Sequence, residues 1–144
     1  MDLLGVHHLA VRVLDLERVG AFYREVLGLT ELARHRFPDG RGRSIWFDLP
    51  GGAFLALELA EGSAPQPNSA NRVGYCVLAL RIWREQRLQI AEELRRRGAA
   101  IVHQTAWTIY IEDPEGNRIG LSHHPEEVVE LSTQLRATAP SSGS

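Results

Sequence analysis

Residues 6–13 (VHHLAVRV) form an apolar run broken by polar residues, and a helical period begins after Asp15. That run carries valine at three positions and predicts a strand, because branched side chains suit a pleated backbone. Beyond Asp15, the residues Leu16, Val19, Phe22, Tyr23, Val26 and Leu27 recur at helical spacing. Asp15 is placed to cap that helix and Gly28 to end it. A second strand is expected over 30–36, then a turn at PDGRG (38–42). SIWFDL (44–49) and AFLALELA (53–60) predict a hairpin around Pro50, Gly51 and Gly52. EGSAPQPNSA (61–70) is polar, holds two prolines and has no apolar period, so it reads as a linker.

The same alternation of periods then returns. VGYCVLALRI (73–82) predicts a strand. A helix over 83–97 turns Leu88, Ile90, Ala91 and Leu94 inward and stops at Gly98, leaving Arg95, Arg96 and Arg97 as a solvated end that suits the macrodipole. Short strands follow at 100–104, 108–113 and 118–124, the last two joined by the turn 114–117. From Pro125 the spacing of Val128, Leu131 and Leu135 predicts one more helix, and the final ATAPSSGS reads as a disordered tail. Sliding HLAVRVLDLERV by 69 residues lays it on VLALRIWREQRL without a gap, and sliding SIWFDLPGGAFLAL by 64 lays it on TIYIEDPEGNRIGL. Each half therefore reads β-α-β-β-β, and two such units are expected to bury their faces against each other.

Composition narrows the function without naming it. The 144 residues suit one domain with a real core. A net charge of −2 gives no bulk attraction to nucleic acid or an anionic membrane. No apolar run approaches the roughly 18 residues of a membrane span, and Met1 is followed by Asp2, so a cytoplasmic home is expected. Cys76 is the sole cysteine, which removes intrachain disulfides and thiolate clusters; its parity with Gly74 and Leu78 predicts an inert core position. All sixteen basic residues are arginine, so no lysine can form a Schiff base.

The opening HHLAV…DLER…FY…VLGL, the closing IYIEDPEGNRIGL and the paired βαβββ pattern resemble the vicinal oxygen chelate superfamily of glyoxalases, extradiol dioxygenases and bleomycin-resistance proteins. The resemblance implies an α+β fold in which tandem modules form an open, cup-shaped mixed sheet. It places module one at 4–60, the linker at 61–71 and module two at 72–124 of a single domain (1–124), followed by a C-terminal helix and tail (125–144). It also implies a homodimer.

Enzymes of the family hold a divalent metal on the first, fourth, fifth and eighth strands. Here the first position falls on His8, the fifth-strand position on Val77 and the eighth on Gly120. The fourth lies on Ala56 by the repeat frame or on Glu58 by an LEL reading. Three or more ligands are needed for a catalytic metal, so no cofactor is expected; His8 and Glu58 would hold any divalent ion, with Ser122 or His124 as reserve donors. Strand alternation assigns the cup lining: His8, Ala10 and Arg12; Phe54, Ala56 and Glu58; Tyr75, Val77 and Ala79; Trp46, Tyr110, Gly120 and Ser122. Among these, His8, Arg12, Trp46, Ala56, Glu58, Tyr75, Val77, Tyr110, Gly120 and Ser122 are the candidate binding residues. Small residues at 56 and 120 are expected to leave room for a guest.

The bland readings are a satisfied strand histidine at His8, a rim ion pair at Arg12, a Glu58 paired with His8 or Arg12, and interface aromatics at Trp46 and Tyr110. The expected function is binding of a small aromatic or planar molecule, as in the bleomycin-resistance proteins. The alternatives are a lyase, isomerase or dioxygenase using His8 and Glu58 with or without a metal, and a non-catalytic assembly module.

Overall fold

The computed structural model of the chain describes residues 1–62 and 73–124. Most of the expected linker, and all of the expected C-terminal helix and tail, lie outside the described residues. The element order is β1 (His8–Val13), α1 (Leu16–Ala21, continued by a π-helical turn Phe22–Val26), β2 (Glu31–Arg36), β3 (Gly42–Leu49) and β4 (Ala53–Leu59). The second half follows with β5 (Leu78–Arg81), a 3-10 turn (Arg84–Gln86), α2 (Arg87–Arg96), β6 (Ile101–Gln104), β7 (Thr108–Glu112) and β8 (Arg118–Ser122). Two four-stranded mixed sheets result, ordered β1-β4-β3-β2 and β5-β8-β7-β6. This is the α+β, tandem βαβββ architecture that the repeat predicts. No helix among the described residues is long and apolar enough to cross a membrane.

Local chemistry explains the boundaries. The Asp15 carboxylate accepts the Arg18 N–H at 3.0 Å and caps α1, and Gly28 ends the helical run at φ +71°, a conformation that costs side-chain-bearing residues more. One face of each sheet is apolar and covered. Ile45, Phe47, Leu55 and Leu57 pack beneath Leu16, Val19 and Phe22, while Ile109, Ile111, Ile119 and Leu121 join Ala91 and Leu94 in the same continuous core.

Module two grips both ends of the first helical run. The Glu115 carboxylate accepts the N–H groups of Leu14 and Asp15 at 2.8–2.9 Å, and the Arg97 guanidinium donates to the carbonyls of Glu25 and Val26 at 3.0 and 3.3 Å. An acid at the N-terminus and a cation at the C-terminus both complement the helix dipole. Arg97 is thus a joint between modules rather than a solvated helix end. Beside it, the buried Asp113 accepts the Tyr23 hydroxyl at 3.2 Å, the N–H groups of Glu115 and Asn117 at 2.9 Å, and Asn117 Nδ2 at 2.8 Å. Burial, and then the neighbouring Asp113 charge and hydrogen bond, push the Tyr23 hydroxyl far above its ordinary pKa.

Three expectations change. The strand expected over 73–82 pairs only at Leu78–Arg81: its partner β8 opens its ladder at Ile119 opposite Leu78, and Gly74 turns at φ +123°. Residues 73–77 are exposed, and Cys76 with them, so it is not a core residue. Leu88 is 78% exposed rather than inward. Arg87 holds that turn of α2 instead, donating to the carbonyls of Ala106 and Thr105 at 3.2 and 2.7 Å and to Gln104 Oε1 at 3.4 Å.

Candidate functional site

Strand register fixes what shares the uncovered face of the first sheet. His8 is opposite Phe54, Ala10 opposite Ala56 and Arg12 opposite Glu58; across the next ladder Trp46 meets Ala56 and Ser44 meets Glu58, and β2 brings Ala33 to Trp46 and His35 to Ser44. The face is therefore layered. An apolar row, three alanines and a tryptophan (Ala10, Ala56, Trp46, Ala33), runs beside a polar row (Arg12, Glu58, Ser44, His35).

Aromatic rings lean diagonally across these rows. His8 stacks on Phe54 at 4.8 Å between centroids, Phe54 stacks on Trp46 at 4.6 Å, and Trp46 meets His35 at 4.6 Å. The result is a ladder of rings spanning all four strands, with each pair inside the 4.5–7 Å range of favourable aromatic contact. His7 packs edge-on against Phe54, and its Nδ1 lies 2.9 Å from His8 Nδ1, so one of those two nitrogens carries a proton and the other accepts it. Three polar atoms along this face are buried without a hydrogen-bond partner: Trp46 Nε1, His35 Nε2 and Ser44 Oγ. An unmade hydrogen bond at a buried group costs about 1–3 kcal/mol, so unpaired groups gathered on one face mark a place where a partner would be stabilising.

The equivalent face of the second sheet is closed on itself. Thr108 Oγ1 donates to Ser122 Oγ at 2.8 Å, at the positions that Ser44 and Glu58 hold in the first module. Tyr110 stacks on His103 at 5.7 Å. Gly120 leaves no vacancy: a Cβ there would lie 3.2 Å from Thr108 Cγ2 and 3.4 Å from both Tyr110 Cε1 and Val77 Cγ2. The room expected at position 120 is already filled by those neighbours, and Ala56 is 2% exposed beneath its own. Ser122 is engaged by Thr108 and His124 packs on Trp107, so each reserve donor is already held by a neighbour.

Among the remaining candidates, Arg12, Tyr75 and Val77 come together in a cleft of about 390 Å³ between β1 and residues 73–78. Tyr75 stands fully in solvent there. Glu58 is half-buried and pairs with neither His8 nor Arg12. It lies four residues along β4 from the position opposite His8, about 13 Å at 3.3 Å per residue. The two acid–base candidates are thus not brought together. Among the described residues, no group of three or more His, Cys, Asp or Glu side chains is placed to hold a metal ion. Sequence reasoning missed His35 and His103, and it placed Phe54 on the lining without weighting it. The parity of ELARHR carried a signal for His35, which alternates with Ala33 and Glu31.

Comparison with known proteins agrees with this architecture. A glyoxalase/dioxygenase from Nostoc punctiforme is similar at 27% identity and TM-score 0.70, over 83% of this chain and 90% of that one. A glyoxylase/bleomycin resistance protein/dioxygenase domain from Frankia sp. EAN1pec matches at 23% identity and TM-score 0.69, over 84% and 98% of the two chains. Lactoylglutathione lyase from Agrobacterium tumefaciens shares the fold at 21% identity and TM-score 0.65, over 85% and 95%. The sequence profile of one family covers residues 5–121, from the approach to β1 to the end of β8, and the chain belongs to that family: the Glyoxalase/Bleomycin resistance protein/Dioxygenase superfamily.

Proposed function

We propose that this protein binds a small aromatic or otherwise planar molecule on the uncovered face of its first sheet, without a resident divalent metal. The observation that carries the reading is the ladder His8–Phe54–Trp46–His35, a ready stacking surface edged by hydrogen-bonding groups that lack partners. Pockets for small molecules combine this kind of apolar, aromatic wall with a few placed polar groups.

The donor set at the four positions where relatives' fold would seat a metal does not fit one. His8 offers a nitrogen, but Ala56, Val77 and Gly120 offer no side-chain donor. Glu58 supplies a carboxylate too far along β4 to complete a site with His8. The same separation speaks against a reaction shared between those two side chains. The proposal extends to a cytoplasmic homodimer. The exposed Leu4, Val6, Val73 and Tyr75 near the edge strands β1 and β5 support the dimer, and a lone, unpaired Cys76 suits a reducing compartment.

The test is ligand-dependent tryptophan emission in a Trp83→Phe/Trp107→Phe background, which leaves Trp46 as the reporter. Aromatic compounds are expected to shift or quench it, and Phe54→Ala to weaken the response at least tenfold. A flat response across phenyl, indole and bicyclic heteroaromatic probes would remove the proposal.

A further inference from the structure

The polar row of the first sheet carries a more specific message than the ring ladder beside it. Arg12 and Glu58 are direct neighbours on adjacent parallel strands and point to the same face, so their Cα atoms are about 4.8 Å apart. Opposite charges so placed ordinarily pair across the strands. Here they do not, and neither has another partner among the described residues. Ser44, in register with Glu58 on its other side, is 1% exposed, and its Oγ is also unpartnered.

The second module supplies an internal control. The same backbone positions hold Arg81 beside Ser122, and Ser122 is already bonded to Thr108. The duplicated face therefore presents one sign of charge there, whereas the first presents both signs and an unused hydroxyl. Trp46 shares the row of Ala10 and Ala56, one pleat of about 7 Å from this bipolar row, whereas Phe54 lies a further pleat away. One pleat is the reach of a two-carbon side chain from a stacked ring to a charged head.

We propose that the ligand class is a zwitterionic aromatic compound, an aromatic α-amino acid or a close analogue. Its ring lies over Ala10 and Ala56 against the Trp46 ring. Its carboxylate takes the Arg12 guanidinium, and its ammonium group donates to the Glu58 carboxylate and to Ser44 Oγ. Resting as it does on the aromatic-binding reading, this assignment adds the requirement for both charges on one ligand.

Calorimetric titration of the full chain separates the two. The probes are L-phenylalanine, phenethylamine (no carboxylate), 3-phenylpropanoate (no ammonium) and benzyl alcohol (neither). L-Phenylalanine is expected to bind at least tenfold more tightly than each of the others. Arg12→Gln should lower its affinity to that of phenethylamine, and Glu58→Gln to that of 3-phenylpropanoate. Equal affinity for all four probes would overturn the zwitterion assignment and leave ring stacking standing; no binding by any of them would overturn both. The wild-type series alone decides between those outcomes, whatever the stability of the variants.

Discussion

Raising the pH tests the joint between the modules through a single side chain. The protein has no lysine, and its sixteen arginines keep their charge, so the side chains that ionise above pH about 10 are tyrosines. Tyr23 is 1% exposed, and burial together with Asp113 holds its hydroxyl protonated far above the ordinary value of 10.0. In the unfolded chain the same hydroxyl ionises at its ordinary value. The unfolded state therefore binds fewer protons above that pH, and stability is full below it and falls as pH rises. The slope for one such group is about 1.4 kcal/mol per pH unit, or about 2 kcal/mol between pH 10 and 11.5.

Tyr23→Phe separates this contribution from the rest. At pH 8 the variant should be less stable by about 1–2 kcal/mol, since it loses one hydrogen bond to a carboxylate that keeps three other donors. Above pH 10 it should no longer lose what the parent loses through this group, so the two stability curves converge near pH 11.5. Urea unfolding at half-unit pH intervals, followed by circular dichroism, reads both quantities. Parallel curves from pH 8 to 11.5 would refute the reasoning, because they would mean that Tyr23 does not stay protonated in the folded state.

Three further outcomes follow from the same contacts. Gly20→Ala should lower the melting temperature: the added Cβ would lie 2.9 Å from Ile45 Cδ1 inside the core, and overpacking of about 1–3 kcal/mol exceeds the helix propensity gained over glycine. Glu115→Ala should cost about 1–2 kcal/mol in urea unfolding, since two N–H groups at the start of α1 lose their acceptor; added salt should not reproduce the loss in the parent protein. On the acid side, hydrogen bonding to Arg34 first, with its charge and that of Arg24, holds the Glu31 carboxyl below its ordinary range. That stability is present above the ordinary carboxylate range and lost as pH falls through the depressed value, so Glu31→Gln should flatten the acid limb of a pH-dependent unfolding series.

Much of this was legible because some signals in the chain act locally. A carboxylate three residues ahead of a free N–H caps a helix wherever it occurs, so Asp15 could be read directly. The gap-free repeat was equally informative, because it matched Trp46 to Tyr110 and Ala56 to Gly120 before any register was known, and the ladders hold equivalent pairs, Trp46 with Ala56 and Tyr110 with Gly120. Other features depend on which neighbour a residue meets. VGYCVLALRI alternates well enough for ten strand residues, but a strand extends only as far as its partner, and β8 offers four pairings. Leu88 satisfies the helical period, yet three acceptors at 104–106 draw Arg87 to that turn. Alternation with Ala33 sets the face of His35, but its contact with Trp46 depends on how β2 registers against β3.

The two modules show how one backbone frame can serve opposite ends. In the second, a hydroxyl pair, a glycine packed by three neighbours and a tyrosine–histidine stack satisfy the exposed face from within. In the first, the corresponding serine has no partner, the corresponding acid stands beside an arginine without pairing, and a tryptophan N–H is buried unused. A fold pressed only towards stability would close both faces alike, because each unmade bond costs free energy that a one-residue change could recover. Restoring the second module's solution to the first, with Ser44→Thr and Glu58→Ser together, should therefore raise the melting temperature. The same pair of changes should abolish the preference for ligands that carry an ammonium group. A variant that gained stability and kept that preference would separate the unsatisfied row from binding, and the openness of the first face would then need another cause.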